Sequence, residues 1–466
     1  MTLGVKRAEA TSASTGPCKI DQPPGAPSHR NLTYALVHAI GLRSLMVLAN
    51  SATGIVTARS LHPEGRGELS AILLGPQVLA GIAALGVPAA VTYHIRRHPA
   101  EKDDYVAAGT YLALMSSAVA MIAGIISIPY ALSHYSSTDV VWAKWLMISV
   151  MLAMLLSVAR GTLEGEGRFL FSNIILIAPH LLTFVGISLL VVINHMSAFP
   201  AGLVYILTPV IPLVAACLSA RAYRWRSPRN LTRPAKQLLS YGLRSYGGDL
   251  CGMLTLYIDQ ALVVSLLSPI EMGAYVIALN LSRTVSIAQQ SICAILFPQS
   301  VGRSIEATIL LNRRALQASI ILSLIAGGVV SVLGSVLLRV LYGEAYMIST
   351  GVLRILLLEV LLNGVVAVCA QVFMALNRPG IVTLQQICGL VLAVPLLAWL
   401  IPRYGLIGAG FGILGATTFR AIVILASFPV FLGRPAPGVF PNAEDRAWFL
   451  GRLSHLRRSR PLEAKV

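Results

Sequence analysis

Long apolar stretches, broken by only a few charged residues, recur along nearly the whole chain. Stretches of about twenty uncharged apolar residues are typical of helices that cross a bilayer. Twelve are predicted, near residues 32–57, 69–93, 105–131, 140–160, 169–194, 198–220, 241–266, 271–297, 314–338, 349–377, 381–402 and 406–432. The pattern therefore predicts an all-α polytopic membrane protein with about twelve transmembrane helices.

The composition agrees with this prediction and excludes several other classes. Only 12% of the 466 residues are charged and 56% are hydrophobic, whereas soluble domains carry about 25% charged residues. The net charge of +17 does not indicate nucleic acid, because the basic residues form short clusters between apolar stretches. The tails and the loops after even-numbered spans hold 27 Lys and Arg, against six in the other loops. This asymmetry predicts that both termini lie in the cytoplasm.

The most basic loop separates the first six spans from the last six. The predicted organisation is a disordered tail (1–31), an N-terminal lobe (32–221), a basic linker (222–240), a C-terminal lobe (241–432) and a basic tail (433–466). We interpret the linker as a topology anchor between two bundles rather than as a partner-binding segment.

The two halves contain an internal repeat. The segment from Leu61 to Gly67 and the segment from Leu267 to Gly273 share Leu, Pro and Gly at an offset of 206 residues. Both segments follow the first span of their half, so the repeat is parallel and its pseudo-two-fold axis would lie along the membrane normal. Two bundles related in this way predict a cavity between them.

Six charged residues lie well inside the predicted spans, away from their ends. They are Arg43, Arg283, Arg420, Asp249, Asp259 and Glu359. Each costs roughly 2.5–3.5 kcal/mol at the centre of a membrane, so such side chains normally face a wet cavity or pair with one another. Both arrangements remain open for Arg283, which could bind an anion or pair with Asp249 or Asp259. The three acids could couple transport to a cation or serve structural pairing.

Helical spacing favours a polar cavity lined by spans one and eight. Arg43, Asn50 and Thr57 fall within a 40° arc, and Arg283 shares a face with other polar residues of its span. Guanidinium groups suit phosphate oxygens and do not lose their charge. The predicted anion-binding set is Arg43, Asn50, Asn280, Arg283, Gln290 and Arg420. No catalytic residue, metal site or cofactor is predicted.

Several motifs resemble the bacterial oligosaccharide and O-antigen flippases, the polysaccharide transport family of the multidrug/oligosaccharidyl-lipid/polysaccharide exporter superfamily. The segments 58–68 and 85–88 resemble the first hairpin of these proteins, and segments 257–260, 269–275 and 296–298 resemble their seventh and eighth spans. The segment 404–409 resembles the entry to their last span. The resemblance covers essentially residues 32–432.

This resemblance implies a MATE-like fold of two pseudo-symmetric six-helix bundles that alternate access. The implied cargo is a polyprenyl-pyrophosphate-linked oligosaccharide, moved between leaflets of the bacterial cytoplasmic (inner) membrane for lipopolysaccharide or exopolysaccharide biosynthesis. Arg43 and Arg283 fit the cavity arginines of the family by span and depth. The implied partners are membrane lipids, Na⁺ or H⁺, and polysaccharide polymerase machinery.

Two alternative functions are weighed against the flippase. A cation-coupled multidrug exporter of the same fold would favour acids and aromatic residues for cationic drugs, which the mid-span arginines oppose. A membrane polymerase, ligase or glycosyltransferase would need acid–base residues in a large outer loop. The predicted outer loops are short and carry no such set, so we predict a protein that is not an enzyme.

Overall fold

The computed structural model describes residues 29–219 and 231–438, without the side chains of residues 29–44 and of Ser245. Within these ranges the chain is helical and contains no strand. The α-helices are α1 (His29–Ala83), α2 (Val87–Arg97), α3 (Lys102–Ala131), α4 (Ser137–Leu146), α5 (Ile148–Gly165), α6 (Phe169–Val192), α7 (Ala198–Leu207), α8 (Val210–Ser219), α9 (Thr232–Leu266), α10 (Pro269–Ser300), α11 (Ile305–Leu337), α12 (Thr350–Ala375) and α13 (Pro379–Ser427). The prediction of an all-α polytopic protein is confirmed.

Two of these helices each contain a reversal of the chain. A straight helix of 55 residues, the length of α1, would extend about 80 Å, far beyond the ~30 Å hydrocarbon core. Its helical geometry is broken at His62, where φ is 56° and ψ is 178°. A similar break in α13 occurs at Gly405, with φ 55° and ψ −133°. Each of these helices therefore supplies two spans.

The helices reproduce the predicted spans with some shifted boundaries. Among the described residues, eight helical stretches are long and apolar enough to cross a membrane, and the bent α1–α2 pair qualifies as a ninth. Counting α10 and dividing α1–α2 and α13 at their reversals gives twelve segments. The main difference is that α9 begins at Thr232, so residues 232–240 of the predicted linker are already helical.

The two ends of the bundle can be named by their loops. We call the end that contains His62, Ser268 and Gly405 the hairpin end, and the end that contains residues 98–101 and 301–304 the linker end. We also call α1–α8 the N-half and α9–α13 the C-half. Capping boxes start two helices at the hairpin end, where Ser136 caps α4 and Ser268 caps α10.

The repeat segments pack directly against each other at the hairpin end. A Cβ atom added to Gly67 would lie 1.7 Å from the Pro269 carbonyl oxygen, and one added to Gly273 would lie 2.0 Å from the Pro63 carbonyl oxygen. The two glycines are related by the offset of 206 seen in the sequence, and so are the two prolines. Each repeat thus presents the same glycine to the same proline of the other, as a two-fold contact requires.

The halves also meet at the linker end. A Cβ atom on Gly86 would lie 2.5 Å from the Gly242 carbonyl oxygen, so the two backbones touch there. The Tyr105 hydroxyl of α3 donates to Gln237 Oε1 of α9 at 2.7 Å. Tyr93 and Tyr241 stack with their ring centroids 4.5 Å apart. In this conformation the halves are therefore in contact at both ends of the bundle.

Candidate functional site

Polar side chains of both halves lie at a similar depth, midway along the bundle. Arg283 lies fifteen residues beyond the Ser268 cap of α10, or about 22 Å from the hairpin end at 1.5 Å per residue. Asn50 precedes the reversal at His62 by twelve residues, or about 18 Å. Since the hydrocarbon core is about 30 Å thick, both residues lie well inside the membrane.

Arg283 has more free hydrogen-bonding capacity than Arg420, the other mid-depth arginine whose side chain the structure describes. Its side chain is half-buried, and its Nη2 atom donates to the Leu256 carbonyl oxygen of α9 at 3.1 Å. Its charge interacts electrostatically with the carboxyl groups of Asp259 and Glu359. No ion pair of 4 Å or less joins Arg283 to a carboxylate among the described residues. A guanidinium carries five N–H donors, so most of them remain available.

Asp259 is enclosed between α9 and α10. It is only 2% exposed, and its Oδ2 atom accepts a hydrogen bond of 2.7 Å from the hydroxyl of Tyr275. Its Oδ1 atom is buried without a hydrogen-bond partner in the described part of the chain. The direct partner of Asp259 is therefore the Tyr275 hydroxyl. It is not Arg283, which the sequence analysis had considered as a possible ion-pair partner.

The other mid-span charges of the C-half lie between α12 and α13. Glu359 accepts a hydrogen bond of 2.9 Å from the Thr417 hydroxyl. The Arg420 Nε atom donates to Gln385 Oε1 at 3.1 Å, and its aliphatic stem crosses Gly389 so closely that an added Cβ would lie 2.3 Å away. Arg420 is thus held inside the C-half, whereas Arg283 stands between α9 and a more open face.

The polar residues predicted to share one face of α1 differ in their exposure in the structure. Thr57 is fully buried and donates to the carbonyl oxygens of its own helix, because a threonine in a helix can satisfy its hydroxyl locally. Asn50 is exposed, and its Oδ1 atom lies 2.9 Å from Nδ1 of His180 in α6. The side chain of Arg43 lies outside the described residues, so its role stays a prediction.

The predicted stripe on α10 keeps its polar residues together. Asn280 and Gln290 are exposed, and Gln290 donates to the Ser286 hydroxyl at 3.2 Å. Gln289, one position before, is instead buried and bonds to Ser323 and to the Val360 carbonyl oxygen. Asp249 is exposed on α9, and Arg283 does not contact it.

Three polar residues in this region were missed by the sequence reasoning. Tyr275 bonds to Asp259, Thr417 bonds to Glu359, and His180 bonds to Asn50. A search for polar residues at equal depth on different spans would have found His180, because unpaired polar groups are disfavoured in hydrocarbon.

Carboxylates from both halves converge at the hairpin end. The Tyr135 hydroxyl is buried there in the loop before α4. Burial raises the pKa of Tyr135, and the carboxylates of Asp139, Glu68 and Glu271 raise this pKa further. Carboxyl groups from both halves therefore surround Tyr135 where the halves are in contact.

The fold defines a multi-pass, all-α membrane protein with polar side chains at mid-depth. Two solved structures share the fold. An inward-facing MATE-family multidrug transporter of the MOP superfamily matches with a TM-score of 0.66 and 16% identity, over 91% of this chain and 100% of that chain. The lipid II flippase MurJ in its inward closed conformation matches with a TM-score of 0.71 and 12% identity, over 93% and 94% of the two chains.

Residues 44–303, more than half of the chain, match the family described as polysaccharide biosynthesis protein. The chain belongs to this family, which confirms the resemblance found in the sequence. A curated relative is the probable low-salt glycan biosynthesis flippase Agl15 of Haloferax volcanii, at 24% identity over 348 residues. The match covers 72% of this chain and 71% of the relative.

Proposed function

We propose that this protein is a flippase that carries a polyprenyl-pyrophosphate-linked oligosaccharide from the cytoplasmic to the outer leaflet of the bacterial inner membrane. The polysaccharide biosynthesis family, the flippase name of the Haloferax relative and the MurJ-like fold support this function. The observation that carries it is Arg283, a half-buried cation at mid-depth that forms no ion pair with a described carboxylate.

The physical role of such a cation follows from the cost of the cargo. A diphosphate and several sugars do not enter hydrocarbon unaided, because an unpaired buried charge is very unfavourable. A guanidinium in a polar cleft offers charge-assisted hydrogen bonds that replace lost water. Asn50, Asn280 and Gln290 add neutral polar contacts for the head group, and Arg43 is the second predicted anchor. The lipid tail stays in the bilayer, and no covalent step is needed.

Alternating access would use the two contacts between the halves in turn. Opening the Gly86–Gly242 contact admits the head group from the cytoplasm, and opening the Gly67–Gly273 contact releases it outside. The buried Asp259 and the partly buried Glu359 are our candidates for coupling to Na⁺ or H⁺. Arg420, which is held by Gln385, would tune the charge of this region rather than contact the cargo first.

The test is flipping of a labelled lipid-linked oligosaccharide in proteoliposomes that contain the full chain. Arg283→Ala should slow flipping at least tenfold, since hydrogen bonds to charged groups contribute about 1.5–3 kcal/mol. Arg283→Lys should remain strongly impaired if the planar fork matters. Arg354→Ala removes an exposed arginine of α12 and should flip normally.

Two results would reject the proposal. One is full flipping by folded Arg283→Ala protein. The other is saturable antiport of a cationic drug in vesicles that is unaffected by this substitution, which would favour the multidrug exporter of the same fold.

A further inference from the structure

A basic pocket lies at the linker end, remote from the mid-depth site. It is an open cavity of about 770 Å³ between the last turn of α2 and the first turns of α9. Its lining includes four permanent cations, Arg97, Arg233, Lys236 and Arg244, and two histidines, His94 and His98, but no acidic residue.

The cations of this pocket are not neutralised by protein. Arg97 donates to the hydroxyl of Tyr93, while Arg233, Lys236 and Arg244 are exposed. None of the four lies within 4 Å of a carboxylate in the part of the chain that the structure describes. Four like charges around one cavity repel one another, so an anion bound among them would be stabilised by all four.

A half-buried histidine adds unsatisfied hydrogen-bonding capacity at the same place. Both ring nitrogens of His94 are buried and have no hydrogen-bond partner among the described residues. The ring stacks on Tyr105 with centroids 4.9 Å apart. Buried polar atoms normally find a partner, and a bound ligand with its water would supply one here.

The position of the pocket indicates a ligand that is anchored in the membrane. It lies where α2 and α9 leave the apolar part of the bundle, and Tyr93 and Tyr241 stack beside it as interfacial aromatic residues do. Basic pockets between helices at this level suit lipid head groups. We propose that the pocket binds the phosphate group of an anionic lipid head group.

This site differs from the mid-depth site in its location and in its consequence. Arg97 belongs to the N-half, whereas Arg233, Lys236 and Arg244 belong to the C-half. A phosphate shared between them would tie α2 to α9 beside the Gly86–Gly242 contact and favour closure of the linker end. The inference does not depend on the identity of the transported cargo.

The experiment measures lipid binding to the purified full chain by native mass spectrometry. The chain is exchanged into nanodiscs of phosphatidylcholine with or without phosphatidylglycerol. The unsubstituted protein should retain phosphatidylglycerol, and Arg233→Gln and Lys236→Gln should each weaken retention about tenfold. The matched control is Arg303→Gln, which removes an exposed arginine at the same end but outside the pocket.

Two outcomes would overturn the proposal. In the first, both pocket variants retain phosphatidylglycerol as well as the Arg303→Gln control does. In the second, soluble inorganic diphosphate binds to the unsubstituted protein and binds less tightly to the pocket variants, whereas phosphatidylglycerol neither binds nor displaces the diphosphate. That result would assign the pocket to a free phosphate compound. Competition between the two ligands supports the lipid phosphate.

Discussion

At the residue scale, three mid-span charged residues of the C-half form hydrogen bonds with neutral side chains. Asp259 is bonded to Tyr275, Glu359 to Thr417 and Arg420 to Gln385. Neutral partners supply hydrogen bonds without an opposite charge, whereas a direct ion pair would supply both. Arg283 is bonded to a backbone carbonyl and so keeps its charge for a ligand.

Tyr275→Phe tests the enclosure of Asp259. The substitution leaves a buried carboxyl group without its hydrogen bond and should lower the free energy of unfolding by about 1–3 kcal/mol. Equilibrium unfolding in mixed detergent micelles measures this change. Tyr130→Phe removes the hydroxyl of an 80% exposed tyrosine and should have no effect. Equal stability of both variants would show that the Tyr275–Asp259 bond contributes nothing.

At the element scale, glycines determine how closely the halves approach. Gly67 and Gly273 allow α1 and α10 to cross with backbone contact at the hairpin end. Gly86 and Gly242 do the same for the segments before α2 and in α9. Small residues at helix crossings are a common device in membranes, where close packing rather than water exclusion drives association.

Alanine at these crossings should open opposite ends of the bundle. Gly67→Ala places a carbon where the Pro269 carbonyl oxygen lies, so the hairpin end must separate by about 2 Å or more to restore normal contact. Gly242→Ala should separate the linker end for the same reason. Double electron–electron resonance measures both changes as distances between spin labels. Labels at His134 and Met347 report on the hairpin end, and labels at His98 and Asn377 report on the linker end.

The control for this pair is Gly327→Ala, because a Cβ at Gly327 meets no atom within 4 Å. It should leave both distance distributions unchanged. If Gly67→Ala and Gly242→Ala altered the same end, or neither end, the two crossings would not act as separate gates.

At the scale of the whole molecule, the two ends differ in charge. The linker end carries the basic pocket around Arg233 and Lys236, and the hairpin end carries the carboxylates around Tyr135. Basic loops are retained in the cytoplasm during insertion. A basic end that stays in the cytoplasm is the orientation that the Lys/Arg asymmetry of the sequence predicts.

Topology can be measured with single cysteines in a chain whose native cysteines are replaced. Arg303→Cys at the linker end should react with a membrane-impermeant thiol reagent only after the cells are opened. His134→Cys at the hairpin end should react in intact spheroplasts, because both positions are exposed and lie on opposite sides. The reverse labelling pattern would invert the predicted orientation and would contradict the direction of transport.

Much of the fold could be predicted from the sequence because hydropathy and Lys/Arg asymmetry are local signals. The repeat of Pro63 and Gly67 in Pro269 and Gly273 was visible in the sequence, but the contact between the two segments was found only in the structure. The face that each polar residue presents was harder to predict. Thr57 shares an arc with Asn50 in a regular helix, yet it is buried, since packing against neighbouring helices decides which part of a stripe is open.

The sequence by itself determined that this chain crosses a membrane many times, in two related halves, with rare charges at mid-depth. Those properties follow from residue type and spacing alone. Only the tertiary structure decided which charges are satisfied, because the partners are far apart in sequence. Glu359 and Thr417 are separated by 58 positions, and Asn50 and His180 by 130. The rotation and crossing of the helices bring these partners together. The same packing leaves most N–H donors of Arg283 without a partner among the described residues.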